Sequence, residues 1–234
     1  MTNIEIEQIL DAGLSQGRLD EPAAKRLLTA AGIAVPPGCV IQSAGELPQA
    51  LAGLRFPLVA KLVSPDASHK SDIGGVKLNL ANAEQVRAAI AALDAAARSH
   101  GVRVRGFLVE EMVSGHELVV GGVIDARFGP VLMLGLGGVF VEVLRDVVFR
   151  VCPLDRQDAL EMIGDLKGAP LLRGARGRAP ASEPALLQAI LAVGGEDGLM
   201  MRLRHRISEL DINPLIVDAE RAIACDARMV LRDA

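Results

Sequence analysis

Apolar positions recur at helical spacing through much of the first hundred residues and then give way to strand-like runs. Ile6, Ile9 and Leu10 share one helical face behind Thr2-Asn-Ile-Glu5, a capping-box pattern, and the periodicity stops at Gly13. A second helix is expected from near Asp20 to Gly32. Phe56–Val63 and Val76–Leu80 read as strands with a polar, glycine-containing loop between them. Asn82-Ala-Glu-Gln85 then caps a helix whose Val86, Ile90, Leu93 and Ala97 keep helical spacing. From Phe107 the texture changes to strand after strand, at 107–113, 117–124, 130–134 and 147–151. Two more helices, opened by Asp155 and Ser182, precede a terminal hairpin. Helices and strands in this order predict an α+β chain in two parts, 1–106 and 107–234.

The terminal hairpin carries the chemistry. If residues 207–213 form a strand, side chains two apart share a face, so Glu209, Asp211 and Asn213 point one way and Leu210 and Ile212 the other. Downstream, Leu215-Ile-Val and Ala222-Ile-Ala flank Asp218-Ala-Glu-Arg221, a four-residue hairpin loop. Pairing Val217 with Ala222 and counting back along both strands brings Asn213 opposite Asp226. Cross-strand partners have Cβ atoms roughly 5 Å apart, close enough for an amide oxygen and a carboxylate to grip one hard cation. Oxygen ligands suit Mg²⁺ or Mn²⁺ and disfavour Zn²⁺. A solvated sheet face is the competing reading.

Composition narrows the field. Half the residues are hydrophobic, yet no run approaches the ~18 apolar residues of a membrane span. The first ten residues are acidic rather than basic, so the expectation is a soluble, cytoplasmic protein. Cys39, Cys152 and Cys225 lack metal-ligand spacing and read as reduced thiols. A net charge of −4, no basic block and aromatics at 2% remove the stacking platforms and positive face that nucleic acid requires.

Two glycine clusters mark close backbone approaches. Ser64–Gly75 is a turn-rich loop that places Lys70 beside the amides of Gly74 and Gly75, a cradle for a phosphate, with a tight turn as the alternative. Gly135-Leu-Gly-Gly138 is followed by Val139–Val143, which continues as strand, so it is not a dinucleotide fingerprint. Of the four histidines, His100, His116 and His205 read as solvent-facing, whereas His69 lies in the Lys70 loop. A neutral imidazole there is a competent nucleophile toward phosphorus.

Taken in order, several stretches resemble the nucleotide-binding β subunit of ADP-forming acetate– and acyl-CoA synthetases, in the ATP-grasp superfamily and related to the β subunit of succinyl-CoA synthetase. They are Glu21-Pro-Ala-Ala-Lys-Arg-Leu-Leu, Gly32-Ile-Ala-Val-Pro36, Leu58-Val-Ala-Lys61, Ser68–Leu78, Val109-Glu-Glu-Met-Val113, Phe128–Glu142, Leu171–Gly177 and Glu209-Leu-Asp-Ile-Asn-Pro214. The resemblance covers nearly the whole chain. It implies an ATP-grasp fold, two α+β subdomains sandwiching ADP or ATP, with Mg²⁺ as cofactor. Lys61 stands where the family's phosphate-binding lysine belongs, with Lys70, Gly74 and Gly75 in the phosphate-handling loop. Glu110, Glu111 and Met112 match the hinge strand whose backbone meets the adenine edge, and Glu117 matches the ribose-binding carboxylate. Asn213 and Asp226 match the metal ligands, in agreement with the register argument. Asp211 matches an acid that contacts an incoming phosphohistidine, with Glu209 beside it, and His69 matches a histidine that relays the phosphoryl group.

The chain lacks the family's CoA-binding half and the histidine that first receives the phosphoryl group. The resemblance therefore implies a hetero-oligomer with a CoA-binding α subunit. A stand-alone ATP-grasp carboxylate ligase and a non-catalytic nucleotide-sensing subunit are the alternatives. The segment from Gly194 to Arg206, with Met200 and Met201, departs from the family pattern and receives no role from sequence.

Overall fold

The computed structural model describes residues 3–66, 70–138, 145–175, 177 and 179–232. They form two compact units, Pro36–Val113 and Met1–Val35 with Ser114–Ala234. Each has its own buried hydrophobic cluster.

The smaller unit is a sheet backed by a helix. Its strands are β2 (Gly38–Ile41), β3 (Leu58–Val63), β4 (Val76–Leu80) and β5 (Gly106–Glu111), in the order β2-β5-β3-β4 with every pairing antiparallel. Leu58, Ala60 and Leu62 of β3 pack with Phe107 and Val109 of β5 against Val86, Ala89, Ile90 and Leu93 of helix α4 (Ala83–Ser99). The Asn82 side chain accepts from the Gln85 amide and so caps that helix, and Gln85 in turn accepts from Ala81. A four-residue helix, α3 (Leu47–Ala50), follows β2.

The larger unit holds β1 (Arg18–Leu19), β6 (His116–Asp125), β7 (Gly129–Leu136), β8 (Val147–Val151), β9 (Ile207–Val217), β10 (Ala222–Ala224) and β11 (Ala227–Leu231). Among the described residues these make a seven-stranded sheet in the order β1-β11-β9-β6-β7-β8, with β10 also on β9. Leu132, Leu134 and Leu136 of β7 share a core with helices α5 (Arg156–Asp165) and α7 (Glu183–Gly194), and short helices α6 (Ala169–Leu172) and α8 (Leu199–Arg202) complete that layer. The expected caps close their helices, Asp155 with Asp158 as a capping box and Ser182 onto Ala185. No helix among the described residues is long and apolar enough to cross a membrane.

The compact units divide the chain differently from the boundary expected at residue 106. β5 (Gly106–Glu111) pairs with β2 and β3 and belongs to the smaller unit. The leading helices α1 (Asn3–Leu14) and α2 (Glu21–Ala30) join the larger one, because Ile6, Ile9, Leu10, Leu27 and Leu28 enter its core and β1 pairs with β11. Connectivity in sequence hides this, since the smaller unit is inserted into the larger. Thr2 of the expected first cap, and Val139–Leu144 with the whole of the expected strand 139–143, lie outside the described residues.

Candidate functional site: a lysine sheet and an oxygen-lined sheet

In the smaller unit strand alternation sets Lys61 apart from its apolar neighbours. Leu58, Ala60 and Leu62 belong to the core shared with α4, and Lys61 falls in the other register. Its ammonium lies 2.6 Å from Glu110 Oε1, with 7% and 3% of the two side chains exposed. Lys61 pairs with Leu108 and Val59 with Glu110, so lysine and glutamate are diagonal neighbours across β3 and β5. On the other side of Glu110 stands Gly38, where an added Cβ would come within 2.5 Å of the Glu110 Cβ.

Glu111 behaves differently from Glu110. It forms an ion pair with Arg55 at 2.9 Å and also accepts from the Arg55 amide. The amides of Glu111 and Met112 donate to the carbonyls of Pro37 and Pro57, at 2.9 and 3.0 Å. Two backbone donors of the expected adenine-binding segment are thus already engaged within the unit.

The glycine turn also corrects an expectation. The Gly75 amide, read as a phosphate donor, instead donates to the Lys70 carbonyl at 2.7 Å and closes the turn Lys70–Ile73. The Gly75 carbonyl accepts from Leu62, which ties the turn to the strand that carries Lys61. Gly74, at φ +68°, adopts the left-handed conformation for which glycine is suited. Lys77, which sequence reasoning passed over, brings its ammonium to 4.0 Å from where a Cβ on Gly74 would lie. Arg103 grips Asp66 through both guanidinium and amide and fixes the stem of the same loop, another contact without a sequence signal. His69 lies outside the described residues.

In the larger unit the expected register is found. Ala222, Ile223 and Ala224 pair with Val217, Ile216 and Leu215, and Ala227 and Arg228 pair with Ile212 and Asp211. Asn213 and Asp226 stand opposite each other between these runs, joined by a 3.3 Å bond from the Asn213 amide to the Asp226 carbonyl. Along β9, Leu210 and Ile212 are buried while Glu209 and Asn213 are exposed and Asp211 is half-buried. Glu209 meets Arg228 at 3.3 Å. The Asp226 Oδ1 accepts from the Ala227 amide at 2.8 Å, which orients the carboxylate.

Glu117, near the start of β6, is exposed. The second glycine cluster closes against it: the Gly137 amide donates to the Glu117 carbonyl at 2.7 Å, and a Cβ on Gly137 would fall 2.9 Å from the Glu117 Cβ. His116, expected to face solvent, is buried at the strand start, and its Nε2 lies 2.8 Å from the Ala179 carbonyl. Asp146, also missed, is buried and accepts from the Lys167 and Gly168 amides at 2.8 Å each. The unassigned segment from Gly194 now has a packing role. Gly198 precedes α8, and the fully buried Met200 of that helix lies so close to Gly122 that a Cβ there would meet its sulfur at 2.5 Å.

No cluster of three or more metal-ligating His, Cys, Asp or Glu side chains occurs among the described residues. Asn213 and Asp226 nonetheless fit Mg²⁺, which keeps several waters and takes one or two carboxylates plus substrate phosphates rather than a protein cage. The remaining thiols are ordinary. Burial pushes Cys152 up to about 11, against a bond to the Leu132 backbone that lowers it, so this thiol is inert at neutral pH.

Comparison with known proteins agrees with this layout. A model of the ATP-grasp domain matches residues 9–231. The β subunit of acetate–CoA ligase [ADP-forming] I from Pyrococcus furiosus is 42% identical over 228 residues, spanning 96% of this chain and 97% of that one. The acetate–CoA ligase [ADP-forming] I of Archaeoglobus fulgidus is 39% identical over 97% of this chain, which spans only 32% of that longer protein. Among solved structures, a dinucleotide-forming acetyl-coenzyme A synthetase 1 from Ca. Korarchaeum cryptofilum, in complex with coenzyme A, Ca-AMPCP and HgCl⁺, superposes with a TM-score of 0.89 at 38% identity, covering 96% of this chain and 99% of that one. The same protein with coenzyme A and Mg-AMPPCP, its phosphohistidine segment pointing towards the nucleotide binding site, gives 0.80 at 36% identity, covering 97% and 100%.

Proposed function

Since this chain belongs to the ATP-grasp family and, within it, to the β subunits of ADP-forming acetate–CoA ligases, we propose that it moves a phosphoryl group between a phosphohistidine and ADP. The observation that carries this reading is the placement of Asn213 opposite Asp226, with Asp211 and Glu209 on the same strand. Asn213 and Asp226 would hold Mg²⁺, which would supply positive charge to offset that on the nucleotide phosphates. The Lys61 ammonium binds phosphate oxygen, with Lys70, Gly74 and Gly75 in the loop of the same unit. Glu117 holds the ribose hydroxyls, and segment Glu110–Val113 meets the adenine through backbone groups other than the Glu111 and Met112 amides.

Phosphoryl transfer to ADP breaks the P–N bond of the phosphohistidine and forms a P–O bond to a β-phosphate oxygen. The imidazole leaves with the bonding electron pair and takes up a proton. His69 is the relay, and Asp211 with Glu209 orients the incoming phosphohistidine. The first phosphohistidine belongs to a CoA-binding α subunit, the partner that the Pyrococcus subunit's name and the longer Archaeoglobus chain both suggest. The acid substrate is chosen in that partner.

Calorimetry with ADP tests the metal assignment. Affinity is expected to require Mg²⁺ and to fall at least about tenfold in Asp226→Ala, the loss of one charge-assisted contact. Equal affinity in EDTA, or an unaffected variant, would contradict it. Synthesis of acyl-CoA by this chain without an α subunit would contradict the division of labour.

A further inference from the structure

The contact between Lys61 and Glu110 asks for more than a place in the sheet. A buried ion pair is weak evidence for stability, because well-packed apolar residues of similar volume serve as well or better. β5 is an inner strand, bonded to β2 on one side and β3 on the other, so the Glu110 backbone is fixed from both directions. Gly38 opposite Glu110 has no side chain to compete for the space. Lysine, by contrast, has many rotamers open to it when free, and fixing one costs entropy. A lysine ordered before its ligand arrives spares the ligand that cost.

We propose that Glu110 is a positioning residue: its carboxylate, 2.6 Å from Lys61, holds the ammonium in place to receive a nucleotide phosphate. This rests on the reading of Lys61 as the phosphate-binding lysine. An ammonium has three donors, so a bond to Glu110 leaves it able to serve a phosphate oxygen as well. A carboxylate in direct contact with polyphosphate would repel it, and Glu110 therefore acts through the lysine. The other charged groups on the elements around this pair are Lys77 on β4, Lys70 and Asp72 in the turn before it, and Glu111, which is tied to Arg55.

A double-mutant cycle on the full chain tests the proposal, with ADP and adenosine affinities read by calorimetry in Mg²⁺. Lys61→Met and Glu110→Ala are each expected to weaken ADP at least about tenfold, and the double variant no further than the weaker single. Adenosine, which has no phosphate, is expected to bind all three as it binds the native chain. Glu110→Gln keeps the shape and serves if Glu110→Ala fails to fold. Its ADP affinity is expected to fall while its adenosine affinity stays native, because a neutral amide holds the ammonium more weakly than a carboxylate does. Additive losses in the double variant, a parallel loss of adenosine binding, or native ADP affinity in Glu110→Gln would overturn the proposal while leaving Lys61 as a ligand. An unaffected Lys61→Met would overturn the phosphate-binding assignment and the positioning role together.

Discussion

The candidate-site charges of the smaller unit and those of the larger one are held in opposite ways. Lys61 and Glu110 are almost sealed from solvent and bonded to each other, whereas Glu209 and Asn213 line an exposed strand face. An exposed face of oxygen atoms costs little to maintain, because water satisfies it, and a side chain there can be changed with the fold intact. A buried pair cannot lose one member without stranding the other in a poorly hydrated place. Stability and ligand binding are therefore entangled in the smaller unit and separable in the larger.

The sharpest break of that contrast is Glu110→Ala, which leaves Lys61 buried without this partner and is expected to cost about 3–5 kcal/mol in urea unfolding. Replacing both members with apolar residues, Lys61→Met with Glu110→Leu, is expected to recover most of that loss. A change no larger than a surface substitution would mean that the pair is open to water. Next in size is Gly122→Ala, at about 1–3 kcal/mol, since the added methyl meets the buried Met200 side chain and overpacks the junction between β6 and α8. Shortening Met200 to Ala in the same chain is expected to relieve the clash, which the unfolding midpoint would report. Asp226→Ala, for all its expected effect on ADP, is expected to shift stability by no more than about 1 kcal/mol, because its side chain is only half-buried. A loss comparable to that of Glu110→Ala would erase the distinction between the two units.

The smallest effect belongs to the hairpin turn after β9. Burial pushes the Asp218 carboxyl up, but the amides of Glu220 and Arg221 and the Arg221 guanidinium outweigh it, and the net shift is downward. A carboxyl held below its unfolded value contributes stability above that value, about pH 4, and loses it as pH falls through the folded one. Asp218→Asn is expected to lower stability slightly at neutral pH, where the charged carboxylate contributes, and so to flatten the acid limb of a stability–pH profile below about pH 4. An acid limb identical to the native one would assign that dependence to other carboxylates.

Sequence periodicity reached the sheet of the larger unit further than the loops of the smaller one. The β9 register follows from a period of two and one hairpin loop, so Asn213 and Asp226 could be set opposite each other by counting. Caps at Asp20, Asn82, Asp155 and Ser182 announce four helices through local hydrogen bonds. The insertion of residues 36–113 into the larger unit escaped, because pairing of β1 with β11 joins residues too far apart for any local pattern. The same holds for contacts made across strands and loops: Lys61 with Glu110, Arg103 with Asp66, His116 with Ala179. Short edge pieces such as β1 and β2 carry too few residues to show a period. Gly75 stayed ambiguous because a glycine that frees an amide for a ligand and one that lets a turn close on itself, as its amide does on Lys70, look the same in sequence.

The central claim is that His69 carries the phosphoryl group between the partner's phosphohistidine and ADP. Its most direct test is phosphorus NMR of the chain mixed with its phosphorylated α subunit, alongside the His69→Ala variant. The account predicts an acid-labile, base-stable phosphoramidate on the native chain that disappears in His69→Ala, with acyl-CoA synthesis abolished and ADP affinity nearly unchanged. An acid-stable phosphoserine on Ser68 or Ser71, near-native synthesis by His69→Ala, or a loss of activity that tracks a loss of ADP affinity would contradict it.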